Sequence, residues 1–247
     1  MRAAAVGTLL WKELRQIGRN RTAMLTASLL PFLILLIAPV QLLITVRLGG
    51  RSIEQLRNAP LPGFSDVTDP AQLLVQFFYP LLLVIGGLLL PSLTTTYAIV
   101  AERERRSLEL LISLPVSVGE ILAAKLVAVL VVTAIIGLPY VAIVCTLLVV
   151  IGIAGASAIP ALVAPFVAAV ACSTAMSLLL TLLARDFRTA NNLNGALVVP
   201  VLFATIAVLS AVGGPGRTYV LSAVLLGLAA LAAFVSLRWI SFERYLE

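Results

Sequence analysis

The sequence has no histidine, only two cysteines and few charged residues. Of its 247 residues, 11% are charged and 61% are hydrophobic. Without histidine, a common metal ligand and the commonest general base are missing. The sequence also has no paired acids, no Ser/His/Asp set and no Gly-rich phosphate loop of the form G-x-x-x-x-G-K-[ST]. These absences argue against an intramembrane protease or transferase.

The positions of the two cysteines and of the charged residues also argue against several kinds of functional site. Cys145 and Cys172 both fall within long apolar runs, so neither is placed for an extracellular disulfide or a metal cluster. No apolar run carries an acidic or basic residue near its centre, which is the usual mark of an ion-coupled transporter. If the protein moves a solute, we expect the energy to come from elsewhere.

Long uncharged runs dominate what is present. A helix needs roughly 20 apolar residues to cross the hydrocarbon layer. The runs are continuous rather than alternating, which excludes a transmembrane barrel. We therefore predict an all-α integral membrane protein with six transmembrane helices in one domain over residues 1–247. The predicted spans cover about 23–47, 70–99, 118–151, 160–183, 192–212 and 217–237.

The net charge of +6 is distributed unevenly along the chain. Most lysines and arginines flank the ends of the spans on one predicted side, whereas the other side holds only a few. By the positive-inside rule, both termini and the segment between spans two and three lie in the cytoplasm. We interpret the basic residues as topology signals that also contact anionic lipid, rather than as a nucleic-acid site.

The residues before span one predict an amphipathic interfacial helix over about 6–20. Apolar residues share one helical face, and basic residues occupy the others. The apolar face holds Leu10, Leu14 and Ile17, the polar faces hold Lys12 and Arg15, and Trp11 is placed as an interface anchor. The alternative is a basic flank that only orients span one.

A charged segment, residues 101–117, separates spans two and three. Its apolar residues recur at helical spacing, which predicts a short amphipathic cytoplasmic helix that stops at Pro115. Ser117 and Glu120 have capping-box spacing, which predicts a new helix from about 118. The alternative is a solvated loop with an amphipathic turn. The charged residues are Glu102, Arg103, Glu104, Arg105, Arg106 and Glu109, and the apolar ones are Leu108, Leu111 and Ile112.

Hydroxyl side chains are concentrated in the second half of span two. Ser92, Thr95 and Thr96 lie within a single stretch that also contains Pro91. In a membrane helix, such hydroxyls either bond back to their own backbone or face a polar pathway or a partner helix. The sequence leaves both interpretations open.

Small residues recur at four-residue spacing in span four. Ala164, Ala168 and Cys172 form one such row. Rows of small residues let membrane helices approach closely. The row could pack against a neighbour in the same chain or against a second subunit, and the sequence does not choose between them.

The segment ERERRSLELLISLPVSVGEILAAK, residues 102–125, resembles the cytoplasmic signature of ABC-2 type permeases. The family pattern is roughly E-x-E-x-G-T-L-E-x-L-L-x-x-P-x-x-x-x-E-I-L-x-G-K. The sequence departs from it at Arg106-Ser107, where the family usually has Gly-Thr, and at Ala124, where it often has Gly. The interfacial helix and the six-span topology also resemble the family. Matching residues are Glu102, Glu104, Leu108, Glu109, Leu111, Pro115, Glu120, Ile121, Leu122 and Lys125.

The resemblance implies a membrane-spanning permease subunit of an ABC transporter, most simply an exporter, in a prokaryotic plasma membrane. Two permease chains, identical or different, would form one pathway. Two copies of a separate cytoplasmic ATPase would hydrolyse ATP with Mg, so this chain would bind no cofactor directly and would not itself be an enzyme. Residues 101–117 would then be the coupling segment that docks on the ATPase.

Two other functions remain open at this point. The chain could be an accessory or biogenesis membrane protein that keeps the ABC-2 fold without transporting, or an ATP-independent carrier. The lack of charged residues in the spans counts against a carrier. The same lack fits an apolar or amphipathic substrate, such as a lipid, a drug or a peptide.

Overall fold

The structure is a computed structural model that describes most of the chain beyond residue 69. The described ranges are 70–104, 118–150, 152, 154–183, 187–214 and 216–241, with the isolated positions 7, 10–12, 14, 15, 29 and 33. Every regular element in the ranges from 70 onward is helical. Predicted span one and residues 105–117 of the coupling segment lie outside the described residues.

Five long helices make up the described bundle. Each contains a stretch that is long and apolar enough to cross a membrane, and together they agree with predicted spans two to six. A first short helix, α1, leads through a π-helical turn into α2, and a 3-10 turn precedes α4. The elements are α1 (Pro70–Leu73), the π-helical turn (Leu74–Phe78), α2 (Tyr79–Glu104), α3 (Val118–Val150), the 3-10 turn (Ala156–Ala158), α4 (Ile159–Leu183), α5 (Phe187–Ala211) and α6 (Arg217–Ser241).

Most helix boundaries follow the proline, glycine and capping signals of the sequence. α1 begins at Pro70, and α3 begins at Val118, as predicted. Gly152 follows α3 with a φ of 74°, and Gly214 lies between α5 and α6 with a φ of 80°. Residues with a Cβ are strained in this left-handed region, so glycine favours the two breaks.

The start of α5 differs from the prediction. Span five was predicted to begin at about residue 192, but α5 is helical from Phe187. The polar residues there, including Arg188 and Asn192, do not stop a helix. They end only the apolar stretch of the helix, because a helix can continue past the hydrocarbon layer into the headgroup region. The length of the apolar run therefore marked the membrane boundary rather than the helix end.

α2 and α4 form the centre of the bundle, and two clusters of buried apolar residues surround them. α4 packs most extensively against α6 and α2, while α2 also contacts α3 and α5. The first cluster joins α2, α3 and α4 through residues such as Leu83, Tyr140 and Phe166. The second joins α2, α4, α5 and α6 through residues such as Leu88 and Leu225. α3 therefore lies on one side of the central pair, and α5 and α6 lie on the other.

The central helices approach closely at glycines. A Cβ added to Gly87 of α2 would lie 2.9 Å from the Ala169 Cβ and 2.9 Å from the Phe166 carbonyl oxygen of α4. One residue earlier, a Cβ at Gly86 would lie 2.9 Å from the Tyr140 ring of α3. The Tyr140 hydroxyl donates a 2.9 Å hydrogen bond to the carbonyl oxygen of Leu82. The two glycines thus let α2 fit between α3 and α4.

The small-residue row of α4 packs inside the chain. Ala168 and Cys172 are fully buried in the second cluster, and Ala164 is half-buried. Their neighbours in that cluster come from α2, α5 and α6. Of the two interpretations left open by the sequence, packing within the same chain therefore applies to Ala168 and Cys172.

We predict that Gly87→Ala destabilises the protein by about 1–3 kcal/mol, because overpacking forces neighbouring groups to move and one of those groups here is backbone. The measurement is the free energy of unfolding of the purified protein in mixed detergent micelles.

Gly227→Ala is the matched control. Gly227 lies in α6, and an added Cβ there meets nothing within 4 Å. Its stability should equal that of the wild type or exceed it slightly, because alanine favours helix. Equal stability of the two variants would contradict the close α2–α4 contact.

Candidate functional site

Four buried polar side chains from three helices meet beside the centre of the bundle. Ser92 of α2, Ser173 and Ser177 of α4, and Asn194 of α5 line one small cavity, and we call these four residues the polar seam. Each is less than a tenth exposed. Polar side chains are seldom buried together in a membrane bundle without hydrogen bonds, because an unsatisfied polar group in an apolar medium costs free energy.

Helical spacing brings the seam residues together. Ser173 and Ser177 are four residues apart on α4, so they lie on one face, one above the other. Leu88 and Ser92 have the same spacing on α2 and also line the cavity. On α5, the lining residues recur three and four apart. They are Asn194, Leu197, Val198 and Val201, and Met176 of α4 completes the lining.

The seam adjoins a proline in the middle of α2. Pro91 lacks the N–H that would normally donate to the carbonyl of Gly87, so the backbone ladder is interrupted there. The Ser173 hydroxyl donates a 2.5 Å hydrogen bond to the carbonyl oxygen of Leu88. This bond joins α4 to α2 within one turn of the proline.

The bond from Ser173 joins two helices, as does the bond from the Tyr140 hydroxyl to the Leu82 carbonyl oxygen. Several other buried hydroxyls of the described helices bond back to a carbonyl four residues earlier on their own helix, as Ser222 does to Thr218 at 2.7 Å. A back-bonded hydroxyl satisfies itself without joining two helices. The other hydroxyls of this kind are Thr94, Thr174, Thr205 and Ser236.

The predicted pathway residues of span two have different surroundings. Ser92 lies in the seam, whereas the side chain of Thr96 lies outside the described residues. The Thr95 hydroxyl is fully buried and has no hydrogen-bond partner among the described residues. Thr94, in contrast, donates to the Leu90 carbonyl of its own helix at 2.9 Å. The Thr94 hydroxyl therefore bonds to the backbone of its own helix, and the Thr95 hydroxyl does not.

The seam itself is uncharged, and the two buried cations of the described residues lie elsewhere. None of the nine residues that line the cavity carries a charge. Lys125 lies near the start of α3 and is 2% exposed, and Arg217 begins α6 and is fully buried, with its Nε donating to the Gly214 carbonyl oxygen at 3.1 Å. Both lie near helix ends rather than at span centres, in keeping with the sequence.

The remaining predicted site residues are only partly within the described structure. Residues 101–104 continue α2 as helix, and Glu120 lies in the first turn of α3, but their side chains lie outside the description. The other coupling residues and the Ser117 cap fall outside the described residues. Their roles stay predictions. These other residues are Arg105, Arg106, Leu108, Glu109, Leu111, Ile112 and Pro115.

The N-terminal positions that are described are helical. Leu10 and Leu14 are half-buried and pack against the first cluster, while Trp11, Lys12 and Arg15 are exposed. This division agrees with the predicted faces. Ile17 lies outside the described residues, and placement in the membrane interface stays a prediction.

The sequence patterns did not identify Ser173, Ser177 or Asn194 as site residues. A usable signal existed, since two serines four apart in an apolar helix share a face. Serine is common in membrane helices, however, so that spacing becomes informative only when the facing helices are known.

We predict that Ser173→Ala lowers the free energy of unfolding by about 0.5–1.7 kcal/mol, the range for hydrogen bonds between membrane helices. Ser222→Ala is the control, because Ser222 is similarly buried but bonds only to its own helix. We expect a smaller loss for the control. Denaturation of both variants in the same micelles makes the comparison, and an equal loss would show that the interhelical bond adds nothing.

Comparison with known proteins places the whole arrangement in a family. A search of curated proteins and a search of solved structures each found no match. A family model described as "ABC-2 family transporter protein" matches residues 8–221, which include α1 to α5 and the start of α6. Because the match covers most of the sequence, the chain belongs to the ABC-2 family of membrane transporter proteins.

Proposed function

We propose that the chain is the permease subunit of an ABC exporter, driven by a separate ATPase that docks on residues 101–117. The observation that carries the proposal is the continuity of α2, which runs without a break from Tyr79 to Glu104 and so enters the coupling segment. The part of α2 between Pro91 and Glu104 has no further proline and would transmit a displacement along its length. A force applied by an ATPase near Glu104 would therefore reach the bundle centre.

The packing of α2 supports this mechanical role. α2 contacts α3, α4 and α5, and α3 restarts at Val118 directly after the coupling segment. Both arms of the segment are therefore helices that pack on each other in the first cluster. The segment is also charged on some faces and apolar on others, as a helix needs to be when it lies in a protein groove.

The partners follow from the family. Two ATPase subunits would bind ATP and Mg and hydrolyse ATP, and a second permease chain, identical or different, would complete the pathway. The bundle is surrounded by membrane lipid, and exposed apolar residues such as Phe203 and Leu138 fit that environment. Neither a nucleic acid nor a directly bound cofactor is part of the proposal.

The uncharged polar seam supports an uncharged or amphipathic substrate. Transport of an ion through a span normally needs charged or coordinating groups near the membrane centre. The seam supplies hydroxyl and amide groups instead. A lipid, a drug-like molecule or a peptide fits this chemistry.

Charge reversal in the coupling segment tests the proposal. We predict that Glu102→Arg with Glu104→Arg, and separately Leu111→Ser, uncouple ATP hydrolysis from transport, because they remove charge and apolar contact from the docking surface. The assay compares ATPase activity and substrate flux in proteoliposomes that contain the permease and its partner ATPase.

Arg188→Glu is the matched control, an exposed charge reversal near the start of α5 and outside the coupling segment. It should leave coupled activity unchanged. Full coupled activity in the segment variants would overturn the proposal. Flux by the permease alone would indicate an ATP-independent carrier, and a stable complex without any flux would indicate an accessory protein.

A photo-crosslinking experiment tests the docking position directly. We predict that a photoreactive phenylalanine analogue at Leu111 crosslinks to the ATPase subunit. The same analogue at Phe203, which is 68% exposed on α5 within a predicted span, should crosslink to lipid and not to the ATPase. Mass spectrometry of the products identifies the partner. Crosslinks to the ATPase from both positions, or from neither, would contradict docking at the segment.

A further inference from the structure

We propose that the polar seam binds one internal water molecule, which bridges α2, α4 and α5 beside Pro91. The cavity lined by the seam has a volume of about 10 Å³, close to the space that a single water needs. A larger solute does not fit in this conformation. The proposal concerns a resident ligand of the helix bundle and does not depend on what the protein transports.

The lining has the chemistry that a buried water requires. An internal water typically makes about three hydrogen bonds to buried polar groups. Ser92, Ser177 and Asn194 present such groups from three different helices. The Ser173 hydroxyl donates to Leu88, and its oxygen can still accept a bond. Most of the lining is apolar, and each of the three helices that form the cavity contributes at least one polar side chain to it.

The bridging water would change how α2 responds to force. A direct side-chain bond fixes two helices at one distance, whereas a water can exchange partners as they shift. At Pro91 the helix ladder is already interrupted, so α2 can bend there at lower cost. The water would supply hydrogen bonds between the helices that can be re-formed through that bend.

Radiolytic footprinting in lipid nanodiscs tests the proposal on the full chain. X-ray pulses generate hydroxyl radicals from water, and these oxidise methionine that lies next to it. Met176 lines the cavity and is the reporter. The matched reporter is Leu228→Met, because Leu228 is also partly buried against the second cluster but does not line the cavity. We expect faster oxidation at Met176 than at the introduced methionine, and equal rates would overturn the proposal.

A cavity-filling variant separates internal water from other sources of radicals. Ser177→Val removes a polar partner and fills the space, so Met176 should lose its excess oxidation. Ser210→Val makes the same chemical change at a half-buried, back-bonded serine of α5 and should leave the excess intact. Undiminished oxidation in Ser177→Val would contradict a water in the seam. If that variant does not fold, the comparison of Met176 with the introduced methionine still decides.

Discussion

The contact between α2 and α4 is the constraint on which the rest of the bundle depends. It combines the close backbone approach at Gly87 with the hydrogen bond from Ser173 to the Leu88 carbonyl. The close approach requires glycine, which has no side chain, and the hydrogen bond requires a small polar side chain such as serine. Both apolar clusters are built around this pair, so α3 on one side and α5 and α6 on the other take their positions from it.

The same contact connects the fold to the proposed function. α2 continues as helix into the coupling segment at one end and contains Pro91 in its middle. The polar seam lies at that interruption, where α2, α4 and α5 meet. Hydroxyl and amide groups can exchange hydrogen-bond partners when helices shift. We therefore expect movement of α2 to change the contacts between helices at the seam first.

Much of the fold could be predicted because membrane spans depend on length and composition alone. Spans two to six and the start of α3 at Val118 agree with the sequence, and the signature in residues 102–125 pointed to the family that the chain belongs to. The start of α5 was missed because polar residues end a span without ending a helix. The seam was missed for another reason. Ser173 and Ser177 form a polar site only because they face Ser92 and Asn194 on two other helices, and the residue spacing of one helix does not indicate which helices it contacts.

We infer that α2 carries the motion of the coupling segment into the bundle. The most direct measurement is the distance between spin labels at Ala101 on α2 and Arg188 on α5, in a permease without Cys145 and Cys172 and assembled with its ATPase. Double electron–electron resonance with and without trapped ATP gives that distance. We predict that the distance distribution shifts when ATP is trapped. An unchanged distribution in a complex that hydrolyses ATP and transports would contradict it.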